Sequence, residues 1–163
     1  MTTIPAKNRE YLLIALSGTP VILLGLLDGL KQDSPVWDRV VEQDRFTLRE
    51  ILAHLADIEP VFLGRIERIH KEDSPMLPNF DEEKAAIDHD YAHSDVEKSF
   101  ARFQTVRARL IGVLEGLPED AWLRTGVKDG VTWTLHQWVV QTLAHDGYHL
   151  RQAAEWIRRS GEG

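Results

Sequence analysis

Apolar residues recur every three or four positions along most of the chain, which is the spacing of one face of an α-helix. The pattern predicts four long helices, at about residues 8–30, 47–70, 94–117 and 134–159. Strand signals are scarce. We therefore predict an all-α fold, an up-down four-helix bundle with long connections, formed as a single domain by residues 1–163.

Three of the four helices begin with a capping box, in which a Ser or Thr caps the backbone and a Glu or Gln three residues later returns the hydrogen bond. The pairs are Thr47 with Glu50, Ser94 with Glu97, and Thr134 with Gln137. We interpret residues 71–93 as a polar loop with a short helical piece around 81–88. Residues 118–131 are a second loop, with turns at Gly126 and at Asp129-Gly130.

The first helix is apolar enough to raise the question of a membrane. Lys7 and Arg9 precede the apolar run 11–27, as in a signal peptide. This run covers only about 26 Å as a straight helix, less than the roughly 30 Å of a bilayer core, and Pro20 predicts a kink or break in it. We expect the buried first helix of a soluble bundle, with a targeting segment as the alternative.

Composition narrows the range of functions. The net charge of −7 argues against a nucleic-acid partner, because phosphate binding requires clustered Lys and Arg. The chain has no cysteine, which excludes disulfides, thiolate metal ligands and a cysteine nucleophile, and is consistent with a cytoplasmic protein. We expect no membrane partner and a small-molecule substrate.

His145 and His149 are four residues apart on the core-facing stripe of the last helix, so both imidazoles can reach one metal ion. His54 flanks the core stripe of the second helix. Three imidazoles on a divalent ion leave a coordination position open, and their ordinary pKa values predict weaker metal binding, and so less activity, below about pH 6.5. The alternative is that they are core histidines bonded to backbone or hydroxyl groups.

Other polar residues are weaker candidates. His89 and His93 share the four-residue spacing but lie in a polar segment, so we expect them to be solvated. Asp57 follows His54 by one turn and Asp146 adjoins His145; either could orient an imidazole or act as a catalytic base, although surface solvation explains both. Arg107 falls on the apolar stripe of the third helix, where it either snorkels to the edge or meets a buried anion.

Residues 46–59, FTLREILAHLADIE, resemble the second-helix motif of the DinB/YfiT-like family. Residues 131–152, which contain VTWTLHQW and HDGYHLRQ, are similar to its last-helix motif. PNFDE at 78–82 and RTG at 124–126 match weaker loop signatures. The resemblance spans nearly the whole chain.

The resemblance implies a four-helix bundle with a divalent ion (Zn, Ni, Fe or Mn) held by His54, His145 and His149, often in a homodimer. Family members with an activity are metal-dependent hydrolases or transferases and isomerases that use a low-molecular-weight thiol. Two hypotheses remain open: an enzyme of one of these classes, or a non-catalytic metal-binding or ligand-binding bundle linked to stress. The sequence identifies no definite general base.

Overall fold

Residues 3–161 are described by the structure, a computed structural model, and most of them are helical. Four long helices, α1 (Ala6–Leu27), α2 (Leu48–Lys71), α4 (Val96–Glu115) and α5 (Leu135–Arg159), form a bundle, and α3 (Glu82–Asp88) is a short helix in the connection between α2 and α4. Two 3₁₀ turns, Tyr91–His93 and Glu119–Leu123, and one small hairpin complete the fold. The prediction of a four-helix bundle is confirmed.

The helices pack so that α1 and α2 each contact both α4 and α5. Two apolar clusters fill the bundle. One is centred on Phe62, Leu110 and Trp138, and the other on Leu52, Phe103 and Trp156. The histidine positions of α2 and α5 lie along the interface between these two helices, at the level where the clusters meet.

Helix starts follow local side-chain chemistry. The Thr47 and Thr134 capping boxes are both formed, with Glu50 and Gln137 returning the hydrogen bonds. The predicted Ser94 cap of α4 is wrong by one residue. Asp95 is the N-cap, and its Oδ1 accepts the Lys98 backbone N–H at 3.0 Å. Ser94 and Asp95 are both good caps, so the sequence alone did not separate them.

The expectation that residues 118–131 form only a loop is wrong, because strands β1 (Thr125–Lys128) and β2 (Val131–Thr134) pair there in an antiparallel hairpin. Asp129 and Gly130 form its turn, both with positive φ, as a two-residue hairpin turn requires. Gly126 allows the hairpin to approach α2, since a Cβ there would lie 2.9 Å from Ile69 Cγ1. Four-residue strands are too short to give a period-two signal.

Helix α1 differs from the expectation in two ways. It continues through Pro20 without a break, and only Leu16, Thr19 and Leu23 are buried. Five large apolar side chains are more than half exposed: Tyr11, Ile14, Val21, Ile22 and Leu24. Because α1 is apolar on all sides, its sequence had no polar face to identify the solvent side. By length and composition it could cross a membrane, a test that core helices and N-terminal signal sequences also pass.

Pro20 has a consequence in the core. Proline lacks an N–H, so the carbonyl four residues earlier, that of Leu16, receives no hydrogen bond from it. The Arg107 guanidinium occupies this acceptor instead, with Nη1 3.1 Å from the Leu16 oxygen. The gap in the α1 ladder is therefore filled by a side chain from α4.

Arg107 is the centre of a buried polar network that joins all four long helices. Its guanidinium pairs with Glu59 of α2, at 2.5 and 2.8 Å, and with Asp146 of α5, at 2.7 and 2.9 Å. Thr19 of α1 donates to Asp146 at 2.7 Å. All four residues are at most 3% exposed, so Arg107 meets buried anions and does not snorkel. Burial raises the pKa of Glu59, and the Arg107 guanidinium opposes that shift.

Candidate metal centre

The three histidines expected to act together converge in the structure. His54 reaches inward from α2, and His145 and His149 from successive turns of α5. The Nε2 atoms of His54 and His145 are 3.0 Å apart, and one ring nitrogen from each of the three lies within 4.8 Å of the others. Imidazole bonds of about 2.0–2.1 Å to a tetrahedral ion place the ligand nitrogens roughly 3.4 Å apart. The cluster therefore has the dimensions of a three-histidine metal site.

Burial prepares these imidazoles to act as ligands. Desolvation lowers the pKa of His54 to about 3, of His145 to about 2 and of His149 to about 4. Repulsion from His149 adds to the shift of the other two. Since these values lie well below the ordinary 6.5, all three rings are neutral at physiological pH, which is the form of imidazole that binds a metal. The expected loss of activity below about pH 6.5 rested on the ordinary imidazole pKa, and burial lowers the pKa of all three rings below that value.

His149 is oriented by a neighbour on its own helix. Gln152 Oε1 lies 3.0 Å from His149 Nδ1, which fixes the proton on Nδ1 and leaves Nε2 as the ligand atom. Among residues 3–161, Nδ1 of His54 and Nδ1 of His145 have no hydrogen-bond partner. Packing and the 3.0 Å contact between their Nε2 atoms orient these two rings.

Aromatic rings surround the cluster and limit its contact with water. Phe46 and Phe80 lie 5.3 and 6.0 Å from the His54 ring, centroid to centroid. Phe62 meets the His145 ring edge-on at 5.3 Å, and Tyr148 meets His149 at 4.9 Å. The rings come from α2, α5 and the two connections beside them, so the site depends on the assembled bundle.

The cluster opens on one side into a pocket of about 280 Å³. His145 and His149 line its inner end, and its outer part is charged, with Asp44, Arg45, Glu82 and Glu83. A guanidinium nitrogen of Arg45 donates to the Tyr148 hydroxyl. A larger groove of about 510 Å³ beside α1 contains no histidine. The pocket that the histidines line is the smaller of the two and is near the size of small-ligand sites.

The two candidate carboxylates are engaged away from the imidazoles. Asp57 pairs with His89 and with Arg102, whose Nη1 lies 2.5 Å from Oδ1. Asp146 is held by Arg107 and Thr19. The structure gives neither carboxylate a hydrogen bond to His54, His145 or His149. It instead places both in ion pairs that fix α2 and α5, the helices that carry the histidines.

The other histidines of the chain lie outside the three-histidine cluster. The His93 side chain is 81% exposed and bonds to Asp90 on the surface. His89 is 61% exposed, as expected for a solvated residue, but its pairing with the buried Asp57 was not foreseen. His70 and His136 are half-buried and separate from the three-histidine cluster.

The connection between α2 and α4 covers the site. Arg65 of α2 donates two hydrogen bonds to the Pro78 carbonyl, at 2.7 and 3.2 Å, which places Phe80 against His54. The pairing of His89 with Asp57 fastens the other end of α3 to α2. Between these two anchors, Glu82 Oε2 comes within 3.9 Å of His54 Nε2. Sequence reasoning missed Glu82, because a short polar helix has no periodicity that gives its orientation.

Comparison with known proteins places the bundle and its histidines in a family. Residues 15–153 match the family model of the DinB superfamily. The chain belongs to the DinB superfamily. The matched span includes His54, His145 and His149, and the resemblance seen in the sequence motifs is thereby confirmed. The search of curated proteins found no match for this DinB-superfamily chain.

A solved structure shares the fold of this DinB-superfamily chain. YfiT from Bacillus subtilis superposes with a TM-score of 0.90 at 20% sequence identity, over 100% of this chain and 93% of YfiT. YfiT is described as a probable metal-dependent hydrolase with an unusual four-helix bundle topology. At this identity the likeness establishes the fold.

Proposed function

We propose that His54, His145 and His149 bind a divalent metal ion and that the protein uses it to act on a small electrophilic substrate. The observation that supports this most directly is the convergence of three neutral imidazoles within 4.8 Å, two of which line a pocket. The similarity to a probable metal-dependent hydrolase favours hydrolysis. Transfer or isomerisation with a low-molecular-weight thiol is the second branch of the same proposal.

The residues around the three histidines have different roles in the proposed site. A divalent ion such as Zn, Ni, Fe or Mn supplies a Lewis acid with an open coordination position, where water or a thiol is activated. Gln152 holds His149 in the tautomer that binds through Nε2. Phe46, Phe62 and Phe80 keep bulk water away from the rings of His54 and His145.

The pocket mouth suggests how substrate is recognised. Arg45 and Tyr148 lie together there, next to His149. A guanidinium and a phenol are hydrogen-bond donors suited to a carboxylate or carbonyl oxygen. Asp44 and Glu83 on the same rim disfavour highly anionic molecules. A small substrate with one polar or singly charged end fits this arrangement.

The activity test uses the purified protein loaded separately with each metal. Simple esters, amides and other electrophiles are each assayed with and without glutathione, bacillithiol or mycothiol. We expect turnover that disappears when a chelator removes the metal and returns when the metal is restored. Turnover in water alone identifies a hydrolase, and a requirement for thiol identifies a transferase or isomerase.

Two outcomes would count against the enzyme. Turnover that survives complete removal of metal would exclude the proposed chemistry. Metal-loaded protein that converts none of the substrates would favour a non-catalytic metal-binding or ligand-binding bundle. That second function is supported by the engagement of Asp57 and Asp146 in ion pairs, which leaves neither as a free base.

We also propose that the protein is a cytoplasmic homodimer in which α1 packs against α1 of a second copy. Tyr11, Ile14, Gly18, Val21 and Gly25 follow one another at alternating spacings of three and four, the seam of a helix pair. A Cβ on either glycine would meet nothing within 4 Å, so a second backbone can approach closely. A second copy would cover this exposed apolar face; a standard dimer interface buries about 800 Å² per copy.

The dimer is tested by placing a charge on the seam. Val21 is 69% exposed, so Val21→Glu leaves the folded chain intact but opposes pairing of two copies. Light scattering should report a dimer for the wild type and a monomer for this variant. Ile87→Glu, at an even more exposed apolar residue on α3, is the control and should remain dimeric. A monomeric wild type, or one that sediments with lipid vesicles, would contradict the proposal.

A further inference from the structure

We infer that Glu82 is a fourth ligand of the metal ion, binding through its carboxylate from the pocket side. This inference rests on the proposed function, since it assumes that the three histidines hold a divalent ion. It adds an oxygen donor from α3 to the nitrogen donors of α2 and α5. The site then belongs to the mixed imidazole and carboxylate class, and water or substrate would enter as a fifth ligand, since a catalytic ion can expand beyond four-coordination.

Distance is the first support. Glu82 Oε2 lies 3.9 Å from His54 Nε2, and Glu82 lines the same pocket as His145 and His149. Donor atoms on one tetrahedral ion are roughly 3.4 Å apart. The Glu82 side chain is 61% exposed, so its carboxylate can move closer to the three imidazoles.

Charge is the second support. The three imidazoles are neutral, so an ion held by them alone would keep its full double charge beside buried aromatic rings. An uncompensated charge in such surroundings is costly. Among the described carboxylates, Asp57 and Asp146 already neutralise arginines. Within residues 3–161, Glu82 has no cationic side chain at salt-bridge distance apart from the His54 contact, so its charge is available to the ion.

The backbone of α3 holds Glu82 beside His54, the position that a metal ligand needs. Asp81 caps the helix by accepting the Lys84 N–H at 2.9 Å, which sets Glu82 at the first helical position. Ala85, on the next turn, packs in a small buried cluster with Ala53, the residue before His54. Glu82 is therefore positioned against His54 by contacts that do not depend on a metal.

Glu83 provides a matched control. It follows Glu82 on the same turn, lines the same pocket and carries the same charge, but it makes no salt-bridge contact with the histidine cluster. Glu82→Gln and Glu83→Gln thus each remove one negative charge from the same pocket, at neighbouring positions of α3. Any general effect of pocket charge on metal binding appears in both variants.

The experiment measures Zn²⁺ affinity by chelator competition and the visible spectrum of the Co²⁺-loaded protein. The wild type, Glu82→Gln, Glu83→Gln and His149→Ala are compared. We expect Glu82→Gln to weaken Zn²⁺ binding by about 10- to 100-fold, at least the effect of losing a group that supports a ligand. The Co²⁺ absorption bands should shift in position and intensity because a ligand is lost. Glu83→Gln should match the wild type in both measurements.

The outcomes separate this inference from the function on which it rests. If wild-type protein binds Zn²⁺ and His149→Ala does not, the metal site stands. Wild-type affinity and an unchanged Co²⁺ spectrum in Glu82→Gln would then overturn the role of Glu82. Equal losses in Glu82→Gln and Glu83→Gln would overturn it as well, since charge alone would explain them. A wild type that binds neither ion would overturn the proposed function, and the assignment of Glu82 with it.

Discussion

Replacing His149 with alanine is expected to abolish stoichiometric metal binding. The change removes one of three donors and leaves Gln152 without its partner. Loss of a group that only supports a ligand already costs 10- to 100-fold in affinity, so loss of the ligand itself should exceed about 100-fold. Elemental analysis of purified protein, followed by chelator competition, measures the change. His145→Ala and His54→Ala should behave in the same way.

His93 offers a control of the same residue type. It has a histidine four residues before it, as His149 has, but its side chain is 81% exposed and bonds only to Asp90 in the described part of the chain. His93→Ala should retain the full metal content. If all these variants held equal metal, the ion would lie elsewhere and the three-histidine site would be excluded.

Removal of Arg107 is expected to give the largest loss of stability. Arg107→Ala leaves the carboxylates of Glu59 and Asp146 buried without their cation and the Leu16 carbonyl without its donor. Breaking a buried ion pair in this way costs about 3–5 kcal/mol in the free energy of unfolding. Urea denaturation followed by circular dichroism measures it.

Two further variants show whether the loss arises from burial of unpaired charge. Arg109 lies on the same helix and pairs with Glu67, but it is 68% exposed, so Arg109→Ala should change stability by less than about 1 kcal/mol. Combining Arg107→Met with Glu59→Met and Asp146→Leu removes every charge of the network. This triple variant should recover much of the stability, since apolar replacements of buried ion triads are often neutral or better. A triple variant no more stable than Arg107→Ala would show that packing, not charge, accounts for the loss.

Much of the bundle could be predicted from the sequence because its signals are local. The α2 and α5 capping boxes each depend on residues three positions apart, and both form as expected. The convergence of His54 with His145 and His149 follows from helical phase, because all three lie on or beside faces that must be buried together. The caps and the helical faces can therefore be predicted without knowing which distant parts of the chain contact each other.

What the sequence did not reveal depends on the relative placement of separate elements. Arg107 has an unusual position on its stripe, but its partners Glu59 and Asp146 come from two other helices whose depth and rotation only the assembled bundle defines. Glu82 approaches His54 because Arg65 and Asp57 fasten the intervening connection at both ends. The exposure of α1 was missed because a helix that is apolar on every side has no polar face to show which side meets solvent.

The polar anchors of α1 impose an order on the assembly of the chain. During synthesis α1 emerges first, yet the guanidinium that bonds to Leu16 comes 91 residues later, and the carboxylate that bonds to Thr19 comes 127 residues later. Contacts between such distant residues form late, since a long loop must close before they contribute. The most apolar helix of the protein therefore lacks part of its native contacts until α5 has been made. In a cell, the nascent chain should require a chaperone that shields α1 during this interval.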